Sequence, residues 1–166
     1  ADPGPLPDDE PERGDILERS PASESVAEQI GRRIAEDGGA ALIVDYSHRE
    51  PGFGETFQAV RRHGYADPLK DPGEADLTAH VDFAALSSAL RRGGADTFGP
   101  VTQSEFLVRL GVEARTEALA RGQRDDRAAE IRSGTARLID SGQMGRLFKV
   151  LAAGPSGSAP PAGFEE

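Results

Sequence analysis

Val26, Ile30 and Ile34 recur every four residues, which places them on one stripe of a helix. Ser20 and Pro21 read as its N-cap and first helical residue, and Gly38-Gly39 as its stop. The pattern then changes. "AALIVDY" is apolar without alternation, as in a strand buried on both faces inside a parallel sheet. A long Gly/Pro-punctuated stretch follows, with one short element expected around Thr56–Arg62. "ADLTAHVDF", residues 75–83, alternates strictly: Leu77, Ala79, Val81 and Phe83 form an apolar face, and Asp76, Thr78, His80 and Asp82 a polar one. Period 2 predicts a strand with its apolar side on a core.

The end of that stretch also reads as a helix start. Asp82 caps Phe83–Arg92, Val81 staples onto Leu86, and Gly93-Gly94 ends the helix. Thr102 and Glu105 have capping-box spacing ahead of Phe106, Leu107 and Leu110. Helical patterns continue over Val112–Arg121 and Asp125–Ile139, and "RLFKVLAAG" reads as a last strand. The expected order is α-β-loop-β-α-α-α-α-β, an α/β chain with a late helical cluster.

Composition narrows this picture. The 166 residues suffice for one core, and 5% aromatic content makes that core aliphatic. There is no cysteine, which removes disulfides and thiolate metal sites and fits a reducing compartment. No apolar run approaches the ~20 residues that span a bilayer. The net charge of −10 argues against a nucleic-acid partner. Much of it is local, since residues 1–20 hold seven Asp and Glu against Arg13 and Arg19. The chain opens without Met on a proline-rich acidic run. Residues 1–14 are therefore expected to be a flexible lead-in, 15–153 an ordered body and 154–166 a flexible Gly/Pro-rich tail.

A doubly wound sheet needs more strands than these, and no glycine-rich nucleotide turn follows any of them. Both "GGA" runs fall at helix ends. Either the fold is unusual or the chain is the second half of a larger domain. The runs "ERSPAS", "GGAALIVDYSH", "ETFQAVRRHGYADPL", "PGEADLTAHVDF", "GPVTQSEFLVRLG", "MGRLFKVLA" and "PPAGF", in this order, resemble the C-terminal half of the MidA-type methyltransferases. That family uses S-adenosylmethionine and includes the mitochondrial arginine methyltransferase of respiratory complex I assembly. The resemblance covers about residues 12–164.

It implies a Rossmann-like class I methyltransferase fold with a helical insertion, its sheet incomplete in this chain. "AALIVDY" would be the fifth strand and "RLFKVLA" the last, antiparallel one. Ser47 stands where the family usually has Gly. The S-adenosylmethionine loop would lie in the missing N-terminal half, leaving no cofactor-binding residue here and the fragment inactive alone. The partner would be a protein substrate, in the family a respiratory complex subunit. Localisation would be cytoplasmic in bacteria and the mitochondrial matrix in eukaryotic relatives. The alternative is a non-catalytic module that binds a partner, or itself, through an open sheet.

The transfer implied moves a methyl group from a sulfonium to a substrate nitrogen, and a guanidinium acceptor needs carboxylates to hold it and a base to take its proton. Asp45, His48 and His80 are the catalytic candidates, and Tyr46, His63, Asp82 and Gln103 the candidate substrate contacts. Four of them have a structural reading as well. Asp45 can make an Asx-turn, Asp82 a helix cap, His48 a backbone hydrogen bond, and His63 belongs to a solvated basic run. No metal site is expected, because histidines 48, 63 and 80 lack short ligand spacings. A serine hydrolase is a weaker alternative still, because no nucleophile-elbow pattern is present.

Overall fold

The computed structural model describes residues 10–47 and 52–165. The elements in chain order are α1 (Pro21–Asp37), β1 (Ala41–Tyr46), β2 (Gln58–Arg61), β3 (Gly64–Ala66), β4 (Asp76–Thr78), α2 (Phe83–Arg92) and β5 (Ala95–Thr102). They continue with α3 (Gln103–Arg109), α4 (Val112–Ala120), α5 (Asp125–Ile139), α6 (Met144–Leu147) and β6 (Phe148–Pro155). The main sheet has the order β1-β6-β5, with β6 antiparallel to both neighbours, so β1 and β5 run the same way. A second, small sheet has the order β3-β2-β4.

Local signals explain most of the helix ends. The Ser20 hydroxyl accepts from the Ser23 amide at the start of α1, and Asp82 Oδ1 accepts from the Ala85 amide at the start of α2. At α3 the capping box is complete: the Glu105 amide donates to Thr102 Oγ1, and the Thr102 amide to Glu105 Oε2.

One face of the main sheet carries α1 and α2 over a core of Ala27, Ile34, Phe83, Leu86, Leu90, Ala95, Leu151 and Ala153. The expected stripe on α1 is rotated. Val26 is 56% exposed, whereas Ala27, Gly31 and Ile34 are buried. The cause is the close approach of α2. A Cβ on Gly31 would stand 2.2 Å from the Leu90 carbonyl oxygen, and one on Gly93 would stand 2.4 Å from that of Glu28. Small residues, not large ones, mark this helix contact. The other face of the sheet buries Val150, Ala152 and Phe164, with Phe98, Val101 and Phe106 packed around them.

Four expectations need correction. β5 was not anticipated, because Gly99-Pro100 reads as a breaker; the dipeptide lies in a register irregularity between Phe98 and Val101 on an edge strand, where proline is tolerated. "AALIVDY" is not flanked by parallel neighbours here. Among the described residues it is an edge strand paired with β6 alone, and Leu42 and Val44 are about half exposed. The alternating stretch is a strand only over Asp76–Thr78, and its faces are the reverse of those expected. Leu77 and Ala79 are exposed while Thr78 and His80 are half-buried, because β4 joins the small sheet and not the main core. The hairpin strand β3 also went unforeseen; its turn needs positive φ at Arg62 and His63, residues that carry no turn signal.

The expected boundary at 153/154 falls inside β6, and the segment beyond it is packed and not loose. Phe164 lies with its ring centroid 5.3 Å from that of Phe106. Residues 1–9 of the lead-in lie outside the described residues. At the start of the expected body, Ile16 is docked, since its carbonyl accepts from the Gly54 amide at 2.8 Å.

Candidate active site

The carboxyl end of β1 is tied down from several directions. The Ser47 amide donates to the Leu147 carbonyl at 3.1 Å, and the Ser47 hydroxyl donates to the Val81 carbonyl. The Val81 amide returns a bond to the Tyr46 carbonyl at 3.2 Å. Lys149, only 3% exposed, directs its ammonium at the carbonyls of Ser47 (3.1 Å), Arg146 (2.5 Å) and Leu147 (3.4 Å). A buried ammonium is tolerated where its donors meet acceptors. Lys149 thus joins the end of β1 to α6.

These ties bring His80 against the strand end. Its ring meets that of Tyr46 edge-on, with centroids 5.7 Å apart, and Tyr46 in turn meets Phe148 at 5.8 Å. The His80 amide donates to Thr56 Oγ1 at 2.9 Å. The Thr56 hydroxyl donates to Glu18, which also accepts from the Thr56 and Phe57 amides at 2.9 Å each. Burial pushes the Glu18 carboxyl upward, but the Thr56 hydroxyl, the two amides and the charge His80 carries when protonated together outweigh it, and its pKa is lowered.

A cleft of about 260 Å³ opens here, lined by Glu18, Arg19, Glu24, His80, Asp82 and Leu86 among others, three carboxylates against one guanidinium. Glu24 reaches Arg19 at 2.6 Å and Arg92 at 3.5 Å. Asp82 caps α2 through one oxygen. A carboxylate offers about four lone-pair sites, so each of the three retains capacity toward a further donor. The cleft therefore suits a cationic group with several N–H donors, beside an imidazole that can take a proton.

The expected residues fare unevenly. His80, Asp82 and Tyr46 are brought together at this cleft or behind it. His48 lies outside the described residues. Asp45 Oδ1 accepts from the Tyr46 amide at 2.8 Å, and Asp45 faces Lys149 across the β1–β6 pair. His63 is exposed on the β2–β3 turn at φ 65°. Gln103 is buried, and its side-chain amide donates to the Leu138 carbonyl at 2.8 Å, which ties α3 to α5. Among the described residues no group of three or more His, Asp or Glu is placed to hold a metal ion.

Glu18, Glu24, Thr56 and Lys149 escaped the sequence reading. Glu18 was hidden in an acidic, proline-rich segment, and its partner is 38 residues away. Lys149 carried a usable signal, a lone charge inside an apolar strand.

Residues 4–101, which contain the whole cleft lining, match the family described as "Putative S-adenosyl-L-methionine-dependent methyltransferase". The chain belongs to this family.

The mitochondrial protein arginine methyltransferase NDUFAF7 homolog of Drosophila melanogaster is 45% identical over 84% of this chain and 32% of its own length. The Homo sapiens protein arginine methyltransferase NDUFAF7 is 33% identical over 85% of this chain and 32% of its own length. A Burkholderia thailandensis protein crystallised with S-adenosyl-homocysteine superposes with a TM-score of 0.71 at 28% identity, over 87% of this chain and 38% of that one. A native crystal structure from the same organism reaches a TM-score of 0.80 at 26% identity, over 89% of this chain and 41% of that one. The chain spans about a third of the length of the curated relatives it matches. These likenesses bear out the resemblance to the MidA-type methyltransferases and the mixed α/β class. No helix among the described residues is long and apolar enough to cross a membrane.

Proposed function

We propose that this chain is the acceptor side of an S-adenosylmethionine-dependent methyltransferase that modifies arginine in a protein. The observation that carries the reading is the cleft beside the end of β1, which Glu18, Glu24 and Asp82 line together with His80 and Arg19 within the family-matched span. A guanidinium is protonated when free, so it enters as a cation, and carboxylates both attract and orient it. Orientation is most of the task, because the acceptor nitrogen must line up with the donated methyl carbon. His80 is the group in the cleft suited to receive the displaced proton.

In this reading the cofactor is bound mainly outside this chain. β5 runs into α3 without a glycine-rich turn, and Glu105 already fills that helix start from within. The cofactor would supply the methyl group from the part of the relatives' length that this chain does not span. The bare edge of β1 supports the same division. Leu42 and Val44 are exposed on one face of it, and on the other Val26, Ile30 and Ile43 line a groove of about 360 Å³. A Rossmann-like sheet would continue there, with a further strand pairing on β1. The acceptor protein would be a respiratory complex subunit, met in the matrix or, in a bacterium, in the cytoplasm.

The open edge also favours a second reading, an interaction module that associates through β1 without catalysis. A chimaera separates the two. With this chain substituted for the matching third of the Drosophila relative, labelled S-adenosylmethionine and an arginine-containing peptide should give a methylated peptide, and the same peptide with lysine should not. A folded chimaera that transfers no methyl group while the parent relative does would overturn the catalytic reading.

A further inference from the structure

Burial holds the wall of the cleft only at its Val81 end, where that side chain packs against the core of Phe83 and Leu86. Leu77 is 56% exposed and Ala79 is exposed too, so this segment gains little from the core that holds α2 just beyond it. Hydrogen bonds hold it instead, on both sides. The peptide of Val81 is bound by Tyr46 and Ser47, and the amide of His80 by Thr56. A hydroxyl has one proton to give and two lone pairs to offer. Thr56 gives its proton to Glu18, which turns a lone pair toward the His80 amide. Glu18 also takes the amides of Thr56 and Phe57, so the loop cannot turn away, and the Gly54–Ile16 bond aligns the two segments next to it.

We infer that Glu18 and Thr56 form a clasp that positions the His80 wall of the cleft, with Glu18 acting through Thr56 as a positioning residue. Three segments far apart in sequence meet at one hydroxyl, on the side of His80 away from the core contact of Val81. The lowered pKa of Glu18 accords with a carboxylate held charged by these donors. For its effect on turnover, though not for its effect on structure, the inference rests on the acceptor reading above.

The test compares Thr56→Val, which keeps the shape and removes the hydroxyl, with Thr56→Ser, which keeps the hydroxyl; Glu18→Gln is the second probe. Amide exchange of this chain, followed by NMR, should rise about fivefold or more at His80 in Thr56→Val, the factor one lost hydrogen bond implies. It should rise less in Glu18→Gln and not in Thr56→Ser, while the amides of α1 and α2 stay protected in all three. Unchanged exchange at His80, or a rise shared equally by α1 and α2, would overturn the clasp. In the chimaera, Thr56→Val should raise KM for the arginine peptide severalfold, leave the affinity for S-adenosylmethionine unchanged, and be rescued by Thr56→Ser. Raised exchange with an unaltered KM would make the clasp structural only and overturn the positioning role. A parent chimaera without activity would sink the methyltransferase reading, while the exchange experiment would still decide the clasp.

Discussion

The α1–α2 layer and the cleft wall beside it are built on opposite principles. In the first, Leu90 and Leu151 are wholly buried and two glycines let helix backbones touch. In the second, apolar Leu77 faces solvent, while Thr78 and His80 turn inward and long-range hydrogen bonds to side chains do the holding. A packed layer tolerates little change of volume, and a hydrogen-bonded wall tolerates little change of polarity. The division suits a site, since a wall fixed by polar groups can present polar groups to a ligand.

The contrast breaks most visibly at Leu90. Leu90→Ala removes a side chain from a fully buried position and should lower unfolding stability by about 3 kcal/mol, measured by urea titration. Gly31→Ala should come next, at about 2–3 kcal/mol, since its Cβ would meet the backbone of Leu90 and the helices must part. If that substitution proved neutral, the close approach of α1 and α2 would be wrong. At the junction of the two regions, Asp82→Ala should cost about 1 kcal/mol through the lost cap. On the wall itself, Leu77→Ser should stay within about 0.5 kcal/mol, as for a surface residue.

The smallest effect concerns pH. The Glu18 carboxyl titrates below its ordinary value of 4.5, so the stability it contributes is complete above the unfolded pKa. That contribution is lost as pH falls through the lower, folded value. The difference in urea midpoint between the chain and Glu18→Gln should therefore be constant near neutrality and shrink below about pH 4. A difference that grew on acidification would contradict the assignment.

This contrast also explains what was legible in the sequence. Helix starts announce themselves locally, in the packed layer at Ser20-Pro21 and Asp82 and outside it at the Thr102–Glu105 pair, each within four residues. β5 was illegible because the Gly99-Pro100 pair that usually ends a strand sits here in an irregularity of one. Strict alternation over residues 75–83 told that two faces exist and not which of them turns inward; that depends on β2, a partner read only as a short element. The family resemblance was legible in the order of several runs. The clasp was not, because Glu18 and Thr56 have no pattern between them, only proximity after folding.

The central claim is that the polar wall serves a reaction, and His80 tests it most directly. In the chimaera, His80→Gln should lower turnover of the arginine peptide per folded molecule by about 100-fold, the lower end of what a positioned proton acceptor supplies. The melting transition should change by no more than a few degrees. Normal turnover per folded molecule together with a large loss of stability would contradict the account, and would make His80 a structural residue of the wall.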